Sequence, residues 1–134
     1  MLRVAREVAA RSTCARLRVG AVVAVNDRIA STGYNGAPRS IPHCDCEPVG
    51  DRPCDRSVHA EANALLFAGQ ATVGATLYVT HSPCLACAGM IINSGITTVV
   101  YAQPYRSGAG LDQLAAAGIP ARLLSHVPIS EGAR

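Results

Sequence analysis

The chain has 134 residues, 49% hydrophobic, 16% charged and 4% aromatic, with a formal net charge of +3. That length fits one ordinary domain, and the apolar share excludes a disordered chain. All twelve basic residues are scattered arginines, and four Tyr with one Phe are too few for a stacking platform, so no polymeric nucleic acid partner is expected; a small anionic substrate needs only one or two of the arginines.

In chain order, Leu2, Val4, Ala5, Val8 and Ala9 recur at helical spacing and predict an amphipathic helix over Leu2 to Arg11. The arginines spread through Met1 to Arg18 do not have the layout of a secretory signal, and a cytoplasmic protein is expected. Val19 to Val25 is β-rich, Asn26-Asp27 reads as a turn, and Arg28 to Tyr34 returns as a second strand. Asn35 to Ser57 carries four prolines and three cysteines, and cannot be a regular element. A loop of that length in a compact domain is functional or pinned by something.

A regular alternation follows. Val58 to Ala68 reads as a helix stopping near Gly69, Thr76 to Thr80 as a strand, and Cys84 to Asn93 as a helix ending at Gly95. Ile96 to Tyr101 reads as a strand, Leu111 to Ala117 as a helix closed by Gly118, and Ile119 to Leu124 as the last strand. The reading is therefore a single domain over residues 1–134, with a core over 1–124 and a frayed tail over 125–134. Two strands followed by helix and strand units predict an α/β domain with a mixed sheet and helices on both faces. No apolar run approaches the roughly 20 residues of a membrane-spanning helix, so no membrane partner is expected.

The chemistry lies at two helix starts, His59-Ala60-Glu61 and Pro83-Cys84-Leu85-Ala86-Cys87. Six cysteines without a secretory signal point to metal binding rather than to a disulfide framework. Two thiolates three residues apart at a helix N-terminus can face one point, where the helix dipole and a cation favour their ionised form. One imidazole makes three protein ligands, which leaves zinc a fourth position for water. Glu61, two residues past His59, reaches that water without being a ligand. The bland alternative makes His59 a capping or core histidine and Cys84 and Cys87 buried small residues or a redox pair. His-x-Glu followed by Pro-Cys-x-x-Cys is the pattern of zinc deaminases.

The likeness extends beyond that signature. Arg11-Ser12-Thr13-Cys14, Val19-Gly20-Ala21-Val22-Val23, Ser31-Thr32-Gly33-Tyr34-Asn35-Gly36-Ala37-Pro38, His43-Cys44, Cys54, Tyr78-Val79-Thr80 and Asn93-Ser94-Gly95-Ile96 resemble the deoxycytidylate (dCMP) deaminase family, in order, across roughly residues 4–124. The resemblance implies a three-layer α/β/α cytidine-deaminase-like fold with a central mixed five-stranded sheet. It implies hydrolytic conversion of dCMP, or a closely related cytosine nucleotide, to dUMP and ammonia through a zinc-bound hydroxide, with Glu61 as proton shuttle.

Residue by residue, the resemblance makes His59, Cys84 and Cys87 the ligands of a catalytic Zn2+. Asn35 matches a sugar-binding position, although Asn before Gly is also common in turns. Tyr105 matches an aromatic near the nucleotide, or is a loop tyrosine at the surface. Backbone groups around Ala60 and Ser82 would read the base edge. Among Arg16, Arg18, Arg39, Arg56 and Arg106, the loop arginines Arg39 and Arg106 are the preferred phosphate ligands; each also reads as a solvated surface residue. Cys14, Cys44, Cys54 and Cys46, or His43 in place of Cys46, resemble a second, structural zinc site that would pin the proline-rich loop. Four free thiols are the alternative.

Two positions depart from the family pattern. His81, read in the turn before Ser82-Pro83-Cys84, stands where relatives more often carry an apolar or acidic residue, and Gln70 stands where regulated members tend to carry arginine, against control by dCTP and dTTP. Two other functions remain open: a related zinc deaminase acting on a free nucleobase such as guanine or on a modified cytosine nucleotide, and a non-catalytic zinc-stabilised binding module. The partner expected is a small-molecule nucleotide or nucleobase, in a homo-oligomer, dimer or hexamer.

Overall fold

A computed structural model describes residues 1–44 and 54–125. Its elements are α1 (Leu2–Ala9), β1 (Gly20–Val25), β2 (Arg28–Tyr34), α2 (Ala60–Ala68), a short 3-10 turn (Gly69–Thr72), β3 (Thr76–His81), α3 (Leu85–Ser94), β4 (Thr98–Gln103), α4 (Ala109–Ala116) and β5 (Ala121–Leu123). The expected succession of elements is present, with shifted ends. α1 stops two residues early, and the strand placed at Ile96 starts at Thr98, because Ile96 is buried under the sheet before the ladder begins. The turn after α2 carries no apolar period and was not legible in the sequence.

The five strands form one mixed sheet in the order β2-β1-β3-β4-β5. β1 is antiparallel to both neighbours, and β3, β4 and β5 are parallel. The β1–β2 hairpin closes on Asn26 and Asp27, both with positive φ, a conformation these two residue types tolerate. β1, reading Gly-Ala-Val-Val-Ala-Val, is buried on both faces, as a nearly continuous apolar run requires.

Strand alternation separates the two faces. Ala21 and Val23, Leu77 and Val79, and Val99 and Tyr101 share one core with Ala60, Ala64 and Leu65 of α2, Ala88 and Ile91 of α3, and Leu114 of α4. Val22 and Ala24 point the other way, toward the face on which α1 packs with Leu2, Ala5 and Ala9 buried. The result is the three-layer α/β/α arrangement expected. Leu77, Ile91 and Leu114 are wholly buried, each contributing about 1.5–3 kcal/mol of hydrophobic stabilisation.

α2 lies unusually close to the sheet. A Cβ on Gly33 would stand 2.3 Å from the Ala60 carbonyl oxygen and 2.4 Å from the Ala64 nitrogen. Ser31 Oγ donates to the Ala64 carbonyl at 2.6 Å, and Asn63 Nδ2 donates to the Tyr34 carbonyl at 2.8 Å. Helix backbone and strand backbone are therefore fastened directly, which fixes where α2 begins.

Gly33→Ala forces those two backbones apart and is expected to destabilise the fold by about 3 kcal/mol or more. In Gly89→Ala, inside α3, the new methyl meets only Gln113 Nε2 at 3.8 Å. That change is expected to stabilise by up to about 1 kcal/mol through helix propensity. Thermal unfolding of the two variants beside wild type checks both signs.

Candidate active site

The pairing directions bring four chain segments to one edge of the sheet. β2, β3 and β4 end there, and β1 begins there. Asn35 follows β2, His81 to Cys84 lie at the end of β3, Gln103 to Arg106 at the end of β4, and Arg16 to Val19 precede β1. Carboxyl ends of strands in open α/β sheets are where ligand clefts form.

His59 is the N-cap of α2 and Cys84 the N-cap of α3. Their helices start side by side, so His59 Nδ1 lies 3.5 Å from Cys84 Sγ and 3.4 Å from Cys87 Sγ. All three ligand atoms fall within 4.8 Å of one another, and they form the one such group among the described residues. Cys84 Sγ also accepts the Cys87 N–H at 3.5 Å, the half-bond of a helix start.

α4 buttresses this corner from behind. A Cβ on Gly110 would overlap the Pro83 carbonyl oxygen at 2.0 Å and lie 2.9 Å from the Cys84 carbonyl, so only glycine lets α4 touch the ligand turn. The ligand pair is held by backbone, not by side-chain packing alone.

Charge at the cluster is arranged for a cation. Hydrogen bonds from the Cys87 side chain and from His59 push the Cys84 thiol down to about 3. Cys87 is pushed up, by its hydrogen bond to Cys84 and by burial, so the pair shares one proton. His59 is raised, chiefly by its hydrogen bond to Cys84. One imidazole nitrogen and two sulfurs converging on a point, with a cavity on one side, suit zinc, which takes nitrogen and sulfur ligands and in catalytic sites keeps one position open. The residues present therefore fit the ion.

Glu61 lies on the wall of the same cavity and is buried. Burial pushes its carboxyl up to about 7, against a lowering by its own backbone hydrogen bond and by His59. A carboxyl with that value takes or gives a proton near neutrality.

The cavity gathers most of the residues expected from the sequence. Asn35, Ala60, Glu61, Ser82, Tyr105, His59 and Cys84 all line it. Asn35 is more than a lining residue, because its amide is tied to the loop that precedes β1. Its Oδ1 accepts from Ser12 Oγ at 2.6 Å and from the Val19 N–H at 2.8 Å, and its Nδ2 donates to the Leu17 carbonyl at 2.8 Å. One amide N–H is left for a ligand. Ser82 Oγ accepts the Tyr105 N–H at 2.6 Å, which sets the loop carrying Tyr105 and Arg106.

The arginines sort differently. Arg39 is exposed and lines neither this cavity nor the recess beside it. Arg106 lines that recess, resting over the Tyr105 ring at 5.3 Å. Arg16 lines both spaces; it was one of five arginines near the site, and nothing in its spacing singled it out. Leu17, Val19 and Ser57 carry no chemical signal and were missed as wall residues.

His81 is the last residue of β3, not a turn residue, and it lines both spaces half-buried. Gln70, in the 3-10 turn, is exposed.

Cys44 and Cys54 Sγ lie 3.3 Å apart, and Cys14 and Cys54 both line the cavity. His43 is exposed, and Cys46 lies outside the described residues. No helix among the described residues is long and apolar enough to cross a membrane.

A family model of the cytidine and deoxycytidylate deaminase zinc-binding region matches residues 1–103. A deoxycytidylate deaminase of Mycobacterium phage D29 is 45% identical over 114 residues, covering 75% of this chain and 89% of that one. ComE operon protein 2 of Bacillus subtilis (strain 168) is 44% identical over 106 residues, covering 75% of this chain, which spans 56% of that protein's length. A crystal structure of dCMP deaminase from the cyanophage S-TIM5, in complex with dCMP and dUMP, superposes with a TM-score of 0.83 at 33% identity, over 92% of this chain and 93% of that one.

The cluster makes a direct prediction about metal content. Cys84→Ala and His59→Ala are each expected to lose one equivalent of zinc relative to wild type, while Glu61→Gln keeps it. Elemental analysis after dialysis measures this, and cobalt-substituted protein should show thiolate-to-metal absorption that the Cys84 variant lacks.

Proposed function

This chain belongs to the cytidine and deoxycytidylate deaminase family, and from that membership we propose that it is a zinc-dependent hydrolase converting dCMP, or a closely related cytosine nucleotide, to dUMP and ammonia. The observation that carries the reading is the buried carboxyl of Glu61 in the cavity lined by His59 and Cys84 of the ligand cluster, with Asn35 and Tyr105 lining the same cavity. The arginine-bearing recess that opens beside this cavity favours a substrate with a phosphate over a free nucleobase.

His59, Cys84 and Cys87 would hold the zinc, which when bound supplies Lewis-acid activation of water at neutral pH. Glu61 does the proton work: it accepts a proton from the attacking water and delivers it to ring N3 as the C4–O bond forms. It then carries the second water proton to the amino group as the C4–N bond breaks and ammonia leaves. Ala60 and Ser82 offer backbone groups to the base edge, and the remaining Asn35 amide N–H faces the sugar. Tyr105 bounds the pocket beside it. Burial serves this chemistry by holding the carboxyl near neutrality, where both halves of the shuttle are accessible.

Two further parts of the reading rest on other residues. Cys44 and Cys54, 3.3 Å apart, would start a second, structural zinc site; among the described residues, Cys14 and His43 do not converge with them as His59, Cys84 and Cys87 do, so Cys14, with Cys46 or His43, would have to move in to complete it. Its signature is two equivalents of zinc in wild type and one surviving in Cys84→Ala. Leu66 and Phe67 on α2 and Leu85 and Met90 on α3 are exposed apolar side chains, and α2 has apolar residues all round. Such helices are covered by another surface, here a second copy of this chain.

Zinc-loaded protein is expected to release ammonia from dCMP, and Glu61→Gln to lower kcat by about a thousandfold with zinc content unchanged. Turnover of guanine or cytosine in place of dCMP would move the substrate to a free base, and retained turnover in Glu61→Gln would remove the shuttle. Sedimentation equilibrium should show a species heavier than the 13.9 kDa chain, and Phe67→Glu should shift it toward the monomer.

A further inference from the structure

The catalytic cavity and the recess beside it share one wall. Arg16, Leu17, His81 and Tyr105 line both, while Gln103 and Arg106 line the recess alone. The recess has two guanidinium groups, an imidazole and an amide, and no carboxylate among its lining residues. That donor set suits an anion.

His81 is held in this partition through its strand neighbour. Its Nδ1 lies 3.1 Å from Thr80 Oγ1, which itself accepts the Gly20 N–H at 3.2 Å. Gln103 is the register partner of His81 on the parallel strand β4. The ring is held through Thr80 of its own strand, which β1 anchors in turn. Burial lowers its pKa, so at neutral pH the ring is neutral and the positive charge of the recess is that of the arginines.

The placement has a consequence for substrate choice. With the base at the ligand cluster, the recess across the shared wall is where an added 5′-phosphate would meet arginine donors. Resting on the nucleotide reading above, we propose that His81, paired with Gln103, is the specificity-determining element that makes this chain prefer a 5′-phosphorylated ligand over the matching nucleoside. Gln103 reaches only the recess, so its part is played on the phosphate and not on the base.

Titration calorimetry on zinc-loaded protein tests this with dUMP and deoxyuridine as the ligand pair, in wild type, His81→Leu and Gln103→Leu. Wild type is expected to favour dUMP by at least about thirtyfold, and each variant to narrow that ratio about tenfold, the effect of one hydrogen bond to a charged group. Three outcomes overturn the proposal: no preference in wild type, an unchanged ratio in both variants, or equal weakening of both ligands. If His81→Leu fails to fold, Gln103→Leu, at an exposed position, decides the matter alone. The same preparations are assayed for ammonia release from dCMP. A chain that deaminates no dCMP yet keeps a His81-dependent ratio loses the nucleotide-deaminase reading and not this inference.

Discussion

Two helix N-termini that meet at one point are the constraint on which the rest of this molecule depends. An imidazole from the start of α2 and two sulfurs from the start of α3 fall within 4.8 Å of each other only if both helices leave the sheet at the same edge. Side-chain packing alone tolerates shifts of a few tenths of an ångström, too loose for metal geometry. Here the helices are fastened by backbone contact: α2 presses on β2 where Gly33 leaves room, and α4 presses on the Pro83–Cys84 turn where Gly110 does. The small residues of this chain are in that sense part of the site.

The same corner concentrates groups that weaken a fold. A buried carboxyl raised to about 7 and a thiol lowered to about 3 line one cavity, with the raised partner thiol buried behind them. Such perturbed groups cluster where chemistry is done. A cation at the cluster would favour both thiolates and remove the conflict between them, so metal binding and stability are linked here.

The segment before β1 shows how the wall is kept in place without regular structure. Ser12 Oγ bonds both the backbone and side-chain oxygens of Asn35, and Asn35 in turn holds Val19 and Leu17. This clamp explains how an irregular stretch presents Arg16 to two cavities. It also gives Asn35 a structural duty of its own, as the residue that follows β2 and holds the segment before β1 in place.

What the sequence determined by itself was local. The ligand motifs announce themselves because His59, Glu61, Cys84 and Cys87 lie close along the chain at helix starts, and helix capping is a property of a few neighbouring residues. The order of helices and strands was readable for the same reason, since apolar period is carried within each segment. Tertiary structure decided what depends on which strand ends lie at one edge. It put Arg16 on the cavity and left Arg39 outside. It moved His81 from a turn to the end of β3, where the pairing with β4 makes it a shared wall, and it assigned α2 and α3 the exposed apolar faces. Twelve chemically identical arginines differ only in where the sheet order carries them, and that order is set by long-range pairing that no local pattern records.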